Sequence, residues 1–146
     1  MYLYGASGHG KVVKEILDDA GIEVKAFIDD DLALSNFFGL PVLHSADKLD
    51  PVIVSIGKCD VRRRVVERLK CSFATAIHSS AVVSPSAKIG EGSVVMQGAV
   101  VQADAQIGGG AQVGVALGDV EWIGVVGVGH GADETWGMAP VGEVGI

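Results

Sequence analysis

Seven residues near the N-terminus, Gly5-Ala6-Ser7-Gly8-His9-Gly10-Lys11, combine three glycines, a hydroxyl, an imidazole and an ammonium group. Glycines let backbone N–H groups come close to an anion, and a helix N-terminus behind them carries partial positive charge. His9 can donate to a phosphate. Asp29 and Asp30 stand about 20 residues further on, where a carboxylate accepts hydrogen bonds from a ribose or a base. Gly57 ends a third apolar run and belongs to the same edge of such a fold. These residues fit recognition of a phosphorylated nucleoside.

The loop by itself leaves the ligand open. Its glycines are spaced GxxGxG, not the GxGxxG of a dinucleotide fingerprint. Gly5 to Lys11 also fits the glycine and lysine spacing of a P-loop, but Val12 stands where a Ser or Thr must meet Mg²⁺. A turn that only lets strand and helix pack is the third alternative. Arg62-Arg63-Arg64 reads as a solvated helix face, with phosphate contact as the alternative. His130, in Gly129-His130-Gly131-Ala132-Asp133-Glu134, reads as an exposed loop histidine, with a catalytic base as the alternative. Cys59 and Cys71 lack metal-ligand spacing and read as reduced, structural thiols.

The elements that must hold these residues follow from periodicity. Residues 1–4 form an apolar run that enters the loop. Val12, Val13, Ile16, Leu17 and Ala20 then share one helical face, opposite Lys14, Glu15, Asp18 and Asp19, and Gly21 ends the helix. Residues 24–28 predict a second strand, 30–36 a loop, 39–43 a short strand or edge piece, and 51–56 a third strand. Residues 60–70 predict a helix with Asp60 as N-cap. Its apolar face is Val61, Val65, Val66 and Leu69, and its wet face Arg62, Arg63, Arg64, Glu67 and Arg68. Strand, glycine loop, helix, strand and acidic end make a βαβ nucleotide-binding start, a Rossmann-like α/β unit with a short parallel sheet.

A different period begins at residue 75. Ile77, Val83, Ile89, Val95, Val101, Ile107 and Val113 are aliphatic and six residues apart. Two residues before each sits Thr75, Ala81, Ala87, Ser93, Ala99, Ala105 or Ala111. Neither a helix nor a single strand repeats in sixes. A parallel β-helix does, with one inward aliphatic per hexad.

The chain has 146 residues, is 49% hydrophobic and 20% charged, and carries a net charge of -7. That charge argues against nucleic acid as a partner. No apolar run is long enough to span a membrane, no signal peptide is read, and the expected compartment is the cytoplasm. All 11 Lys and Arg lie at or before Lys88, whereas the last 39 residues hold 12 of the 21 glycines.

Taken together, Tyr4 to Gly10, Phe27-Ile28-Asp29-Asp30, Ser55-Ile56-Gly57 with Arg62 after it, and Ile77-His78 leading to Ser84-Pro85-Ser86-Ala87 resemble one family. It is the sialic acid O-acetyltransferase and bacterial UDP-amino-sugar N-acetyltransferase family (NeuD/PglD). The resemblance covers residues 1 to about 107. It implies a Rossmann-like domain over 1–74 that holds a UDP-sugar, and a left-handed β-helix of hexapeptide repeats over 75–113 that trimerises and binds acetyl-CoA. Ser7, Gly8 and His9 are expected at the diphosphate or sugar, Asp29 and Asp30 at the nucleoside, and Gly57 and Asp60 along the same pocket. The expected reaction moves an acetyl group from acetyl-CoA to an amine or hydroxyl of a nucleotide-linked amino sugar or a sialic acid, with no metal.

The sequence departs from the family in two places. The base should come as a histidine followed by an acid, and no such pair occurs; a gapless alignment reaches Val120-Glu121-Trp122 instead. The period also stops after Val113, and 114–146 is Gly/Val-rich without a repeat. Loss of the period together with every basic residue reads as an out-of-frame ending. A divergent ending that still coils, or a partial chain, are the alternatives. A non-catalytic nucleotide-sugar-binding module with a β-helix trimerisation stub is the competing functional expectation.

Overall fold

The computed structural model describes residues 1–114. The chain runs through β1 (Tyr2–Tyr4), α1 (Gly8–Asp19), β2 (Ala26–Ile28), β3 (Asn36–Phe37), β4 (Leu40–Leu43), β5 (Val52–Val54) and α2 (Cys59–Arg68). Seven short strands follow: β6 (Ala76–Ile77), β7 (Val82–Val83), β8 (Lys88–Ile89), β9 (Val94–Val95), β10 (Val100–Val101), β11 (Gln106–Ile107) and β12 (Gln112–Val113).

The first five strands make one sheet in the order β3-β4-β2-β1-β5, parallel except for β3 against β4. β2 and β5 are buried at every residue, so they read as unbroken apolar runs with both faces covered. Alternation then sorts the layers. Leu3, Phe27 and Ile53 pack with Val13, Ile16 and Leu17 of α1, while Tyr4, Ile28, Val52 and Val54 pack with Val65 of α2.

Four local expectations are corrected. Asn36, read as the end of a loop, forms β3 with Phe37, because Phe38 (φ 50°) and Gly39 (φ 79°) both take left-handed backbone and close a tight hairpin. β4 is therefore flanked by β3 and β2 and is no edge. α2 begins at Cys59, so Asp60 lies in its first turn and is not the N-cap; Lys58 holds that position without a side-chain capping bond. Arg62, assigned to the wet face, is only 5% exposed.

From residue 76 the register is 18 residues: Ala76 pairs with Val94, Val82 with Val100, Lys88 with Gln106 and Val94 with Gln112. Successive strands fall in turn on three small parallel sheets, β6-β9-β12, β7-β10 and β8-β11. Left-handed backbone recurs at Gly92, Gly98, Asp104 and Gly110, again six apart, where the chain must turn sharply between strands. Val83, Ile89, Val95, Val101, Ile107 and Val113 form one cluster with Ala81, Ala87, Ala99, Ala105 and Ala111. One of the expected inward residues behaves otherwise. Ile77 is 42% exposed, because β6 pairs on one side only. The Thr75 and Ser93 hydroxyls donate to the carbonyls of Gly90 (3.4 Å) and Gly108 (2.9 Å).

The residue before each inward aliphatic points the other way, and these residues give the three sheets different surfaces. Ala76 and Val94 are buried in the same cluster as Leu3 and Ile16, which seats the hexad segment on the α/β layer. Val82 and Val100 are 64% and 56% exposed, and Lys88 and Gln106 are exposed as well. Truncating Val95, fully buried, should therefore cost about 2 kcal/mol, whereas Val82→Ala should stay within about 0.5 kcal/mol. Urea unfolding of the two variants checks this; equal losses would contradict the assignment of inward and outward positions.

Candidate functional site

The glycine loop leaves β1 and enters α1 at the carboxyl edge of the parallel sheet, the edge at which open α/β sheets take ligands. Its glycines have different jobs. At Gly5 (φ 117°) a Cβ would lie 2.8 Å from Ile56 Cγ1 and 3.0 Å from the Ser55 carbonyl oxygen. At Gly10 it would lie 2.4 Å from the Gly5 oxygen. Both serve the close packing of strand and helix. The buried Ser55 hydroxyl, 3.1 Å from the carbonyl oxygens of Tyr4 and Gly5, ties this crossing to β5. Gly8 faces open space. Ser7 stands at the N-cap position in extended backbone, and its hydroxyl makes no capping bond. The first-turn amides of α1, which have no partner within the helix, open on the same side.

Asp29 and Asp30 follow β2. Asp29 Oδ2 accepts from the Ala6 N–H at 2.8 Å and Oδ1 from the Asp31 N–H at 3.0 Å, so this carboxylate holds the glycine loop in place. Asp30 accepts from the Tyr4 hydroxyl and pairs with Arg68 at 3.0 Å; Arg68 also donates to Tyr4. Burial and the neighbouring Asp30 push the Tyr4 hydroxyl up to about 12. Bonds from Tyr4 and then Arg68 hold the Asp30 carboxyl below the usual carboxylate range. Tyr4, Asp30 and Arg68 form one wall of a cavity of about 320 Å³ that His44 and Lys48 also line. His44 Nδ1 donates to the Asp29 carbonyl at 3.1 Å.

His9 lies in the first turn of α1, against Gly57 at the end of β5. Its Nε2 is buried and has no hydrogen-bond partner. Burial holds the imidazole below its usual range; nearby Arg62 lowers it further, and Gln112 acts in the opposite direction. Arg62 is the hub of this corner. Its Nε donates to the Gly110 carbonyl at 2.9 Å, one terminal nitrogen to the carbonyls of Ile56 (2.7 Å) and Gly57 (3.0 Å), and the other contacts Cys59 Sγ at 3.4 Å. Gln112 completes the corner, accepting from Arg62 at 3.4 Å and donating to the Val54 carbonyl at 3.2 Å.

Thus Ser7, Gly8, His9 and Gly57 converge at one corner, and Asp29 links them to the Asp30 cavity. Asp60 is turned outward and pairs with Arg64 at 3.2 Å. Lys11 lies over the Phe37 and Phe38 rings, 5.5 Å from each centroid. His130 and the rest of the tail lie outside the described residues. Tyr4, His44, Arg68 and Gln112 are new to the site; of these only Tyr4 and Arg68 carried a signal, as polar groups in otherwise apolar or helical runs. Both cysteines are free. Among the described residues no cluster of His, Cys, Asp and Glu is placed to hold a metal, and no helix is long and apolar enough to cross a membrane.

Residues 1–69 match the model of the PglD N-terminal domain. This part of the chain is similar to that family. A UDP-N-acetylbacillosamine N-acetyltransferase from Bacillus subtilis (strain 168) is 38% identical over a stretch spanning 62% of this chain and 48% of that relative. Among solved structures, a mutant perosamine N-acetyltransferase from Caulobacter crescentus, in complex with CoA and GDP-perosamine, is 36% identical with a TM-score of 0.70. The alignment covers 76% of this chain and 58% of that one. The acetyltransferase domain of PglB from Neisseria gonorrhoeae, in complex with acetyl coenzyme A, is 38% identical with a TM-score of 0.69 over 77% of this chain and 60% of that one. This chain therefore spans less than two thirds of each of these relatives. The resemblance to the NeuD/PglD family drawn from the motifs is borne out, and these relatives are sugar N-acetyltransferases.

Two outcomes follow from this geometry. Arg62→Met strands the buried Gly110 carbonyl oxygen and the part-buried ones of Ile56 and Gly57, and should cost about 3 kcal/mol in urea unfolding. Tyr4 should ionise near pH 12 in an ultraviolet titration. Because its folded value lies above the ordinary 10, its contribution to stability is complete below pH 10 and is lost between pH 10 and 12.

Proposed function

We propose that the chain is the ligand-binding and N-terminal hexad part of an acetyl-CoA-dependent N-acetyltransferase acting on a nucleotide-linked amino sugar. The observation that carries this reading is the corner at His9: an unpartnered buried ring nitrogen beside an open glycine, at the start of a helix on a parallel sheet's carboxyl edge. Ser7, Gly8 and His9 then meet the diphosphate or sugar. Asp29 shapes the loop from behind, and the Asp30 cavity takes the nucleoside. Gly57 closes the corner under His9, whereas Asp60 points away from it toward Arg64. In this reading 1–74 is the nucleotide-sugar domain, 75–113 is a left-handed parallel β-helix supported by the 18-residue register, and 114–146 is a Gly/Val-rich tail.

The chemistry needs no covalent enzyme intermediate. The sugar amine attacks the thioester carbonyl, a C–N bond forms, the C–S bond breaks, and CoA leaves as the thiolate. The proton lost by the amine passes to a base and then to that sulfur. This chain's share is to bind and orient the acceptor. Acetyl-CoA enters as co-substrate on the strength of the relatives that bind CoA and acetyl-CoA. A homotrimer is supported by the outward Val82 and Val100, adjacent in register and exposed together on the β7-β10 sheet.

A second reading is a nucleotide-sugar-binding module without catalysis. The absence of any histidine followed by an acid in the sequence favours it. Calorimetric titration with UDP, GDP and acetyl-CoA separates the two. Binding of a nucleotide and of acetyl-CoA is expected for the transferase; a nucleotide alone fits the module; binding of none sinks both. Gly8→Val should keep the fold, since its Cβ enters open space, and should weaken nucleotide binding more than tenfold. Unchanged affinity would remove the loop from the site.

A further inference from the structure

We infer that Arg62 and Gln112 are positioning residues for His9, so that the hexad segment sets how the glycine loop presents its imidazole. The inference rests on the nucleotide-sugar reading only for what His9 meets. Its geometry is independent of that reading.

His9 is enclosed from three directions. Gly57 lies under the ring, with its Cβ position 3.7 Å from His9 Cγ. Arg62 of α2 fixes that glycine by binding its carbonyl oxygen and that of Ile56. The same guanidinium reaches Gly110 in the hexad segment, so the seat of His9 and the turn before β12 hang on one side chain. Gln112 follows two residues later. It bonds Arg62 and the end of β5, and lies close enough to His9 to favour its protonated form. Arg62 is the charged side chain facing the ring and Gln112 the neutral polar one. Nε2 itself is buried without a hydrogen-bond partner.

The two groups act on the ring in opposite directions, which supplies the test. In the full-length chain, each histidine C2–H is followed by NMR from pH 4.5 to 8, with His9 assigned by His9→Gln. Gln112→Ala should lower the His9 midpoint below that of the wild type, because a contact favouring the charged ring is lost. Arg62→Met should raise it, because a facing positive charge is lost. Loosened packing alone would move both midpoints upward by admitting water. A rise in both variants, or no change in both, overturns the proposal. If Arg62→Met does not fold, Gln112→Ala decides: a fall supports the proposal, and a rise or no change overturns it. Titration with UDP and GDP gives a second readout, with affinity about tenfold weaker in Gln112→Ala; unchanged affinity in that variant also overturns it. A wild-type chain that binds neither nucleotide refutes the nucleotide reading, and the ring titration still decides the positioning.

Discussion

A buried guanidinium joins the two halves of this molecule. Arg62 is almost fully removed from water, and every hydrogen bond it makes goes to a neutral acceptor. Burying a cation is costly, so the acceptors must be several and well placed. They come from three places: the end of β5, the first turn of α2, and β12 with the turn before it. Each segment is therefore held at a defined distance from the others, and the carboxyl edge of the sheet acquires a wall built by the hexad segment. Ala76 and Val94 supply the apolar part of the same junction. Those apolar contacts bring the surfaces together without direction, whereas the planar fork of Arg62 sets their orientation.

Much of this was legible in the sequence, and the exceptions have physical causes. The hexad rule located the inward aliphatics because a repeat of 18 residues over three sheets leaves one inward aliphatic per six residues. It failed at Ile77, where β6 has a neighbour on one side only. At Ser93 a hydroxyl satisfied by the Gly108 carbonyl replaces an apolar contact. β3 escaped because its hairpin turns on Phe38, a bulky residue in left-handed backbone that no turn preference suggests. Arg62 is the instructive miss. Positions 62, 65, 66 and 69 share one helical face, so spacing alone placed it with Val65, Val66 and Leu69. Its charge pointed to the wet side instead.

At the ligand corner the sequence identified the right residues more readily than their tasks. Three glycines looked equivalent, yet Gly5 and Gly10 are confined by backbone and side chains while Gly8 is open. Asp29 and Asp30 sit where a nucleoside-binding acid belongs, and both already have protein partners. Composition does not show whether a carboxylate is spent inside the protein or kept for a ligand. That depends on residues 23 and 38 positions away, Ala6 and Arg68, brought close by the sheet.

The 18-residue register also limits how such a chain can change in length. Adding a single residue between two hexad strands would exchange the inward and outward sets beyond it, turning Ile107 to the surface and Gln106 to the interior. Adding a whole repeat would return each later side chain to its own sheet, one strand spacing of about 4.8 Å further along the stack. Length can therefore vary in whole repeats beyond β12, where the contacts with Arg62 and Gln112 are already complete. Before β12, the same whole repeat would carry Gly110 and Gln112 away from the sheet edge they join.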